Sequence, residues 1–192
     1  KAETWTENYY EPGSFLALRY GADRNCIRVV KLDAGFDPVT LADKAAEAAI
    51  RSYIIENYRD HGILGEEEAP RNQGAEFNWI IDPIDGTRAF ISGLPTWGTL
   101  IGLSQNEVPI GGVMHQPFIG EKYFATGNGA FLEHNGHVTP IQSSKQSALS
   151  QATLMSTAPE LFAGSDEEAF HALSDKCRLT RFGFDCYAYA MV

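Results

Sequence analysis

The sequence is poor in cysteine. Only Cys26, Cys177 and Cys186 occur in 192 residues, an odd number with no Cys-x-x-Cys and no Cys/His zinc spacing. That disfavours a disulfide scaffold, a redox protein and a zinc protein, and it reads as reduced thiols in a cytosolic setting. No apolar run approaches the roughly 20 residues needed to span a bilayer, and no signal peptide is visible. Basic residues are also few, 15 Lys and Arg against 25 Asp and Glu, for a formal charge of −10. A general nucleic-acid binder would carry a basic footprint instead. The surplus of acid suits binding of a metal or amine cation, or simple solubility. The five histidines, His61, His115, His134, His137 and His171, form no metal spacing. "HNGH" (134–137) reads as a solvated hairpin tip, and His115 takes no role. There is no low-complexity tract, repeat or linker.

At 44% apolar, the chain can build one good core and is marginal for two. Residues 1–20 suggest a helix broken around Pro12-Gly13, and 26–32 a strand. Residues 35–58 hold a clear helix with Thr40 as N-cap, Asp43 three residues on, and Ala46, Ala49, Ile50, Tyr53 and Ile54 at helical spacing. Strands follow at 62–68, 77–86 and 97–103, then a meander through 108–141 whose Asn135-Gly136 marks a tight turn. Residues 147–159 read as a strand and 164–177 as a helix capped by Ser165 or Asp166. "RLTRFGF" is a strand, and "DCYAYAMV" opens a last helix. This mixture predicts a layered α+β fold.

The chemistry concentrates in "WIIDPIDGTRAF" (79–90). Pro83 forbids αR for Asp82, so the strand is expected to stop there and aim Asp82 and Asp85 to one side. The carbonyl of Ile84 lies between them. Three hard oxygens from four residues suit Mg²⁺. Gly86 allows close backbone approach, Thr87 supplies a hydroxyl, and a helix starting at 87–88 would aim N–H groups at a phosphate. The plainer reading makes both acids turn and cap residues. Glu66, Glu67 and Glu68 end another strand. They are a solvated loop, unless that strand end lies beside residues 79–82, in which case Glu66 becomes a further ligand. Asp43 either complements the helix dipole or accepts a hydrogen bond from Thr87.

"DPVTLAD" (37–43), "GEE" (65–67) and "WIIDPIDGT" (79–87) resemble, in order and spacing, three successive motifs of the inositol monophosphatase family, Mg²⁺-dependent, lithium-sensitive phosphomonoesterases. The resemblance runs from about residue 35 to 192. It implies a layered α/β/α/β/α sandwich of the inositol monophosphatase and fructose-1,6-bisphosphatase type, a homodimer, and two or three Mg²⁺ per active site. By position, Glu66, Asp82 and the Ile84 carbonyl would bind one ion, and Asp82 and Asp85 a second. Thr87 and Asp43, with Glu66, would serve the attacking water. Asp85, Gly86, Thr87 and Arg88 would bind phosphate. One phosphatase domain is expected over 1–192, with an N-terminal lobe to about 145 and the start of a second lobe from about 146. The family's second metal also takes an Asp from a motif beyond position 192. The apolar "YAYAMV" end reads as a helix interior, so a longer polypeptide is expected, and a leader before Lys1 is left open.

"RAFISGLP" (88–95) and "RFGFDCYAYAMV" (181–192) most resemble the histidinol-phosphatase branch of that family. There Arg181 and Asp185 would line the substrate pocket, Asp185 pairing with an ammonium or imidazole. Asp185 equally suits the N-cap of the last helix. The expectation is a cytoplasmic Mg²⁺-dependent L-histidinol-phosphate phosphatase acting on a small phosphorylated substrate, without nucleic-acid or membrane partners. The alternatives are an inositol monophosphatase or broad sugar phosphatase, and a metal- or phosphate-binding protein without turnover.

Overall fold

The computed structural model describes residues 41–192, together with the backbone of a short antiparallel strand pair, β1 (Ala17–Leu18) and β2 (Ile27–Arg28). The helix expected within 1–20, the remainder of the strand expected at 26–32, Cys26 and the Thr40 cap lie outside the described residues.

Helix α1 (Leu41–Asn57) covers strands β3 (Gly62–Gly65) and β4 (Phe77–Asp85). Ile54, Ile63 and Ile81 form the core between them, with Ile50, Ile55 and Trp79 packed around. The buried face of α1 differs from the expected one. Ile54 is buried as expected, but Tyr53 is 65% exposed, and Ala42, Asp43, Glu47 and Arg51 are buried instead. The alanine-rich repeat leaves two faces almost equally apolar. Glu47 and Arg51 can be buried because they neutralise each other one turn apart.

A single seven-stranded sheet follows chain order. β3 and β4 are parallel; β5 (Gly98–Gln105), β6 (Val108–Gln116), β7 (Glu121–Thr126), β8 (Gly129–His134) and β9 (His137–Ile141) continue antiparallel. The β8–β9 hairpin turns on Asn135 (φ 52°) and Gly136 (φ 77°), as Asn-Gly predicts. A second, parallel pair joins β10 (Thr153–Ser156) to β11 (Leu179–Phe182) through α3 (Ser165–Ser174). The layered α+β architecture agrees with expectation.

Three local expectations are corrected. The strand expected over 147–159 shrinks to Thr153–Ser156, between 3₁₀ turns at Leu149–Gln151 and Pro159–Leu161. Polar residues before it and a proline after it cannot extend the parallel ladder. The N-cap of α3 is Gly164, with no side-chain cap bond, and Ser165 already lies inside the helix. The last helix, α4, spans only Asp185–Ala190, and Met191 has left helical geometry. Among the described residues, no helix is long and apolar enough to cross a membrane.

Candidate metal and phosphate site

The parallel register of β3 and β4 decides where the acids meet. Gly65 pairs with Ile81, so the residues that follow, Glu66 and Asp82, emerge side by side. This is the arrangement under which Glu66 becomes a ligand candidate rather than a loop acid. The strand does not stop at Asp82, as Pro83 had suggested. Asp82 pairs with Leu100 and Asp85 with Gly98, so four residues oppose three across a bulge. Pro83 can sit within a central strand because the bulge removes the ladder position its missing N–H would occupy. The side chain of Pro83 is fully buried and Ile84 nearly so, which fixes the bulge between the two carboxylates.

The electrostatics of this corner are unfavourable without a counter-charge. Burial pushes the Asp82 carboxyl up to about 8, and the neighbouring charges of Glu66 and Asp85 add to the rise. Asp82 Oδ1 is buried with no hydrogen-bond partner. Such an oxygen carries a cost of about 1–3 kcal/mol unless something satisfies it. A divalent cation would satisfy it and relieve the repulsion, and an all-oxygen set is the chemistry Mg²⁺ selects. Among the described residues no group of three or more Asp, Glu, His or Cys side chains stands so that it could hold a metal ion by itself, so an ion here would need backbone carbonyls and water as further ligands.

Helix α2 (Thr87–Ser92) starts where the bulge ends. Its cap residue Gly86 is left-handed (φ 82°, ψ 39°), a conformation glycine adopts without penalty. A Cβ there would also lie 3.0 Å from Asp185 Oδ2 and 3.1 Å from the Thr96 carbonyl. The Thr87 hydroxyl, expected to donate to Asp43, donates to the Ile84 carbonyl at 3.0 Å. Asp43 is buried in the first turn of α1 and lies within electrostatic reach of Glu67. Asp85 Oδ2 accepts the Cys186 backbone N–H at 2.6 Å, across 101 residues of sequence. Thus Asp85 anchors the start of α4 to the acid corner. The buried Cys186 thiol is pushed upward by burial first and by Asp85 next, so it stays protonated.

Asp185 reaches the same corner. It is not the N-cap of α4: that position is Phe184, and Asp185 is the first helical residue with φ 41°. Burial raises its carboxyl, a hydrogen bond with Thr157 opposes the rise, Asp85 adds to it and Arg88 opposes it. Arg88 is exposed at the start of α2. Asp185 also lines a cavity of about 750 Å³ together with Thr157 and Arg178. Arg181 does not line that cavity. It is exposed on β11, opposite Met155. Trp79 packs in a cluster with Tyr58 and His61, whose Nδ1 accepts its indole N–H at 3.0 Å.

One set of residues escaped the sequence reading. Glu47 is fully buried on α1. Its Oε2 accepts the Glu67 N–H at 2.7 Å and its Oε1 the Glu68 N–H at 3.1 Å. Arg51 donates from Nε to Glu47 at 2.6 Å and from Nη2 to the Glu68 carbonyl at 2.9 Å. A Cβ on Gly65 would lie 2.0 Å from Glu47 Oε1. The available signal was the Glu-x-x-x-Arg spacing on the strongly predicted helix. Burial of Glu67 beside Asp43, Glu66 and Glu47 pushes its carboxyl up to about 7.

The sequence model of the inositol monophosphatase family matches residues 9–192. The chain is 41% identical over 157 residues to an Arabidopsis thaliana protein named bifunctional phosphatase IMPL2, chloroplastic, covering 81% of this chain and 44% of that protein. It is 39% identical over 157 residues to a histidinol-phosphatase of Chlorobaculum parvum, covering 81% of this chain and 59% of that one. A solved inositol monophosphatase from Zymomonas mobilis superposes with a TM-score of 0.72 at 36% identity, over 87% of this chain and 63% of its own. The chain therefore spans about half the length of the curated relatives it matches. It belongs to the inositol monophosphatase family.

Proposed function

We propose that this member of the inositol monophosphatase family is a metal-dependent phosphomonoesterase, and that its substrate is L-histidinol phosphate, cleaved to L-histidinol and phosphate in histidine biosynthesis. The observation that carries the chemistry is the half-buried Asp82 carboxylate, whose Oδ1 is buried and orphaned, with two acidic neighbours. In this reading Glu66, Asp82 and the Ile84 carbonyl hold one Mg²⁺ and Asp82 with Asp85 a second, for two or three ions per site. When bound, the ions screen the phosphate charge and lower the pKa of a water.

The chain's own residues do the rest. Backbone N–H groups at Gly86 and Thr87, with Asp85 and the Arg88 charge, position the phosphate. The Thr87 hydroxyl donates to Ile84, so its lone pairs are the face it offers to the attacking water. Asp43 and Glu66 complete the orientation of that water. Positioning and charge neutralisation supply most of what phosphoryl transfer needs.

For the substrate, the supporting observation is Asp185, seated on Gly86 at the phosphate end of α2. A half-buried carboxylate there pairs with the ammonium or imidazole of histidinol phosphate. The relative named histidinol-phosphatase supports the same choice. A second reading, an inositol monophosphatase or broad sugar phosphatase, is favoured by the hydroxyls of Ser144, Thr153, Ser156 and Thr157 lining the cavity beside Asp185. Those groups suit a polyol. A homodimer in a reducing compartment, cytosol or organelle, completes the proposal; the relative named chloroplastic keeps the organelle in view.

The test is phosphate release from L-histidinol phosphate and inositol 1-phosphate, with Mg²⁺ and after chelation. Asp82→Asn should lower turnover at least about 100-fold, more than the loss of an outer partner. Asp185→Ala should weaken histidinol phosphate hydrolysis more than inositol phosphate hydrolysis. Equal losses on both substrates would remove Asp185 as selector. Silence on both, with Mg²⁺ still bound, would favour a binding protein without turnover.

A further inference from the structure

Among the described residues, one buried ion pair supplies the hydrogen bonds that hold the backbone of the loop carrying Glu66. Glu47 takes the N–H groups of Glu67 and Glu68, and Arg51 takes the Glu68 carbonyl. These hydrogen bonds end on loop backbone, and Arg51 Nε also stands 3.8 Å from Glu68 Oε2, so the pair fixes the path of residues 66–68 without occupying the Glu66 carboxylate. Gly65 leaves the pair its space. Burying two charges is costly, and apolar residues of similar volume often serve stability as well or better. Stability alone therefore gives little reason for this pair, whereas fixing a loop to within a fraction of an ångström does.

We infer that Glu47 and Arg51 are positioning residues for the acid corner, setting the Glu66 carboxylate against Asp82 so that the two act on one cation. The inference rests on the metal-site reading above. Asp43 continues the same row one turn earlier on α1 and is also buried. One helix face thus supplies both an acid for the site and the clamp for its neighbouring loop.

The experiment is calorimetric titration of the full polypeptide with Mg²⁺ alone, alongside the melting temperature of the metal-free protein. Glu47→Gln keeps the shape but replaces one acceptor oxygen with an amide NH₂, so one of the two loop N–H groups loses its partner. Arg51→Lys keeps the charge but cannot form the fork that reaches both Glu47 and the Glu68 carbonyl. Each should weaken Mg²⁺ binding about tenfold at a temperature where the variant is fully folded, as expected for a partner one shell out from the metal. A lower melting temperature with unchanged Mg²⁺ affinity in both variants would overturn the inference and leave a merely structural pair. If Glu47→Gln does not fold, Arg51→Lys decides by the same criterion. Asp82→Asn separates the two levels of the argument. Loss of binding in Asp82→Asn with no change in the clamp variants overturns the clamp alone, whereas no Mg²⁺ binding by the wild type overturns the metal site and the clamp together.

Discussion

Two ion pairs in this molecule have opposite surroundings. Glu47 and Arg51 sit on α1 with side chains 0% and 6% exposed, and both also bind backbone of the Glu66–Glu68 loop. Lys122 and Glu133 face each other across β7 and β8, 39% and 38% exposed, at the same 2.6 Å. Equal distances conceal unequal roles. The buried pair organises a segment of chain that has no regular structure of its own. The surface pair decorates a ladder that the β7–β8 cross-strand hydrogen bonds already hold. What an ion pair is worth here depends on what else it touches.

The comparison breaks most sharply at Glu47. Glu47→Ala leaves Arg51 buried without its partner and should cost about 3–5 kcal/mol, read as a lower urea midpoint. A loss under about 1 kcal/mol would mean that water or another acid replaces the carboxylate.

The acid corner itself should work against folding when no cation is present. Asp82 is raised from 3.8 to about 8, and Glu67 from 4.5 to about 7. Between those values the folded state holds more protons than the unfolded state, so stability falls as pH rises from about 4 to 8. The metal-free protein should therefore melt at a lower temperature at pH 8 than at pH 5. Asp82→Asn should remove much of that slope and raise the pH 8 melting temperature by a few degrees. Added Mg²⁺ should do the same for the wild type. A melting temperature that rises steadily from pH 5 to pH 8 would contradict the raised carboxyls.

In the meander the effects shrink. Gly136→Ala forces a side chain onto φ 77° and should cost about 1 kcal/mol. Glu133→Ala should cost less than about 1 kcal/mol, and the loss should fade in 0.5 M salt. A Glu133→Ala cost approaching that of Glu47→Ala would erase the contrast between the two pairs.

Sequence was a good guide wherever one segment decides the outcome. The Asn-Gly hairpin and the helix after Gly86 are local signals, and each lies where expected. It was a poorer guide where a partner far along the chain decides. Pro83 looked like the end of a strand because a bulge can be recognised only against Leu100 and Gly98. Glu47 and Arg51 carried no signal of their own because the backbone they hold comes 17 to 21 residues later. Asp185 suited both a pocket residue and a helix cap; it is not the cap, and it lies against Gly86, a residue in the other half of the chain. Arg181 looked like a pocket residue, but exposure on β11 leaves Arg178 beside the cavity.

The bond from the Cys186 N–H to Asp85 has a consequence for synthesis. Asp85 leaves the ribosome 101 residues before its partner, roughly 5–20 s at ordinary rates of elongation. Throughout that interval the acid corner lacks its anchor, and the nascent chain exposes an unsatisfied cluster of negative charge. A divalent ion captured then would shield the corner while β11 and α4 are being made, before the Cys186 N–H reaches Asp85.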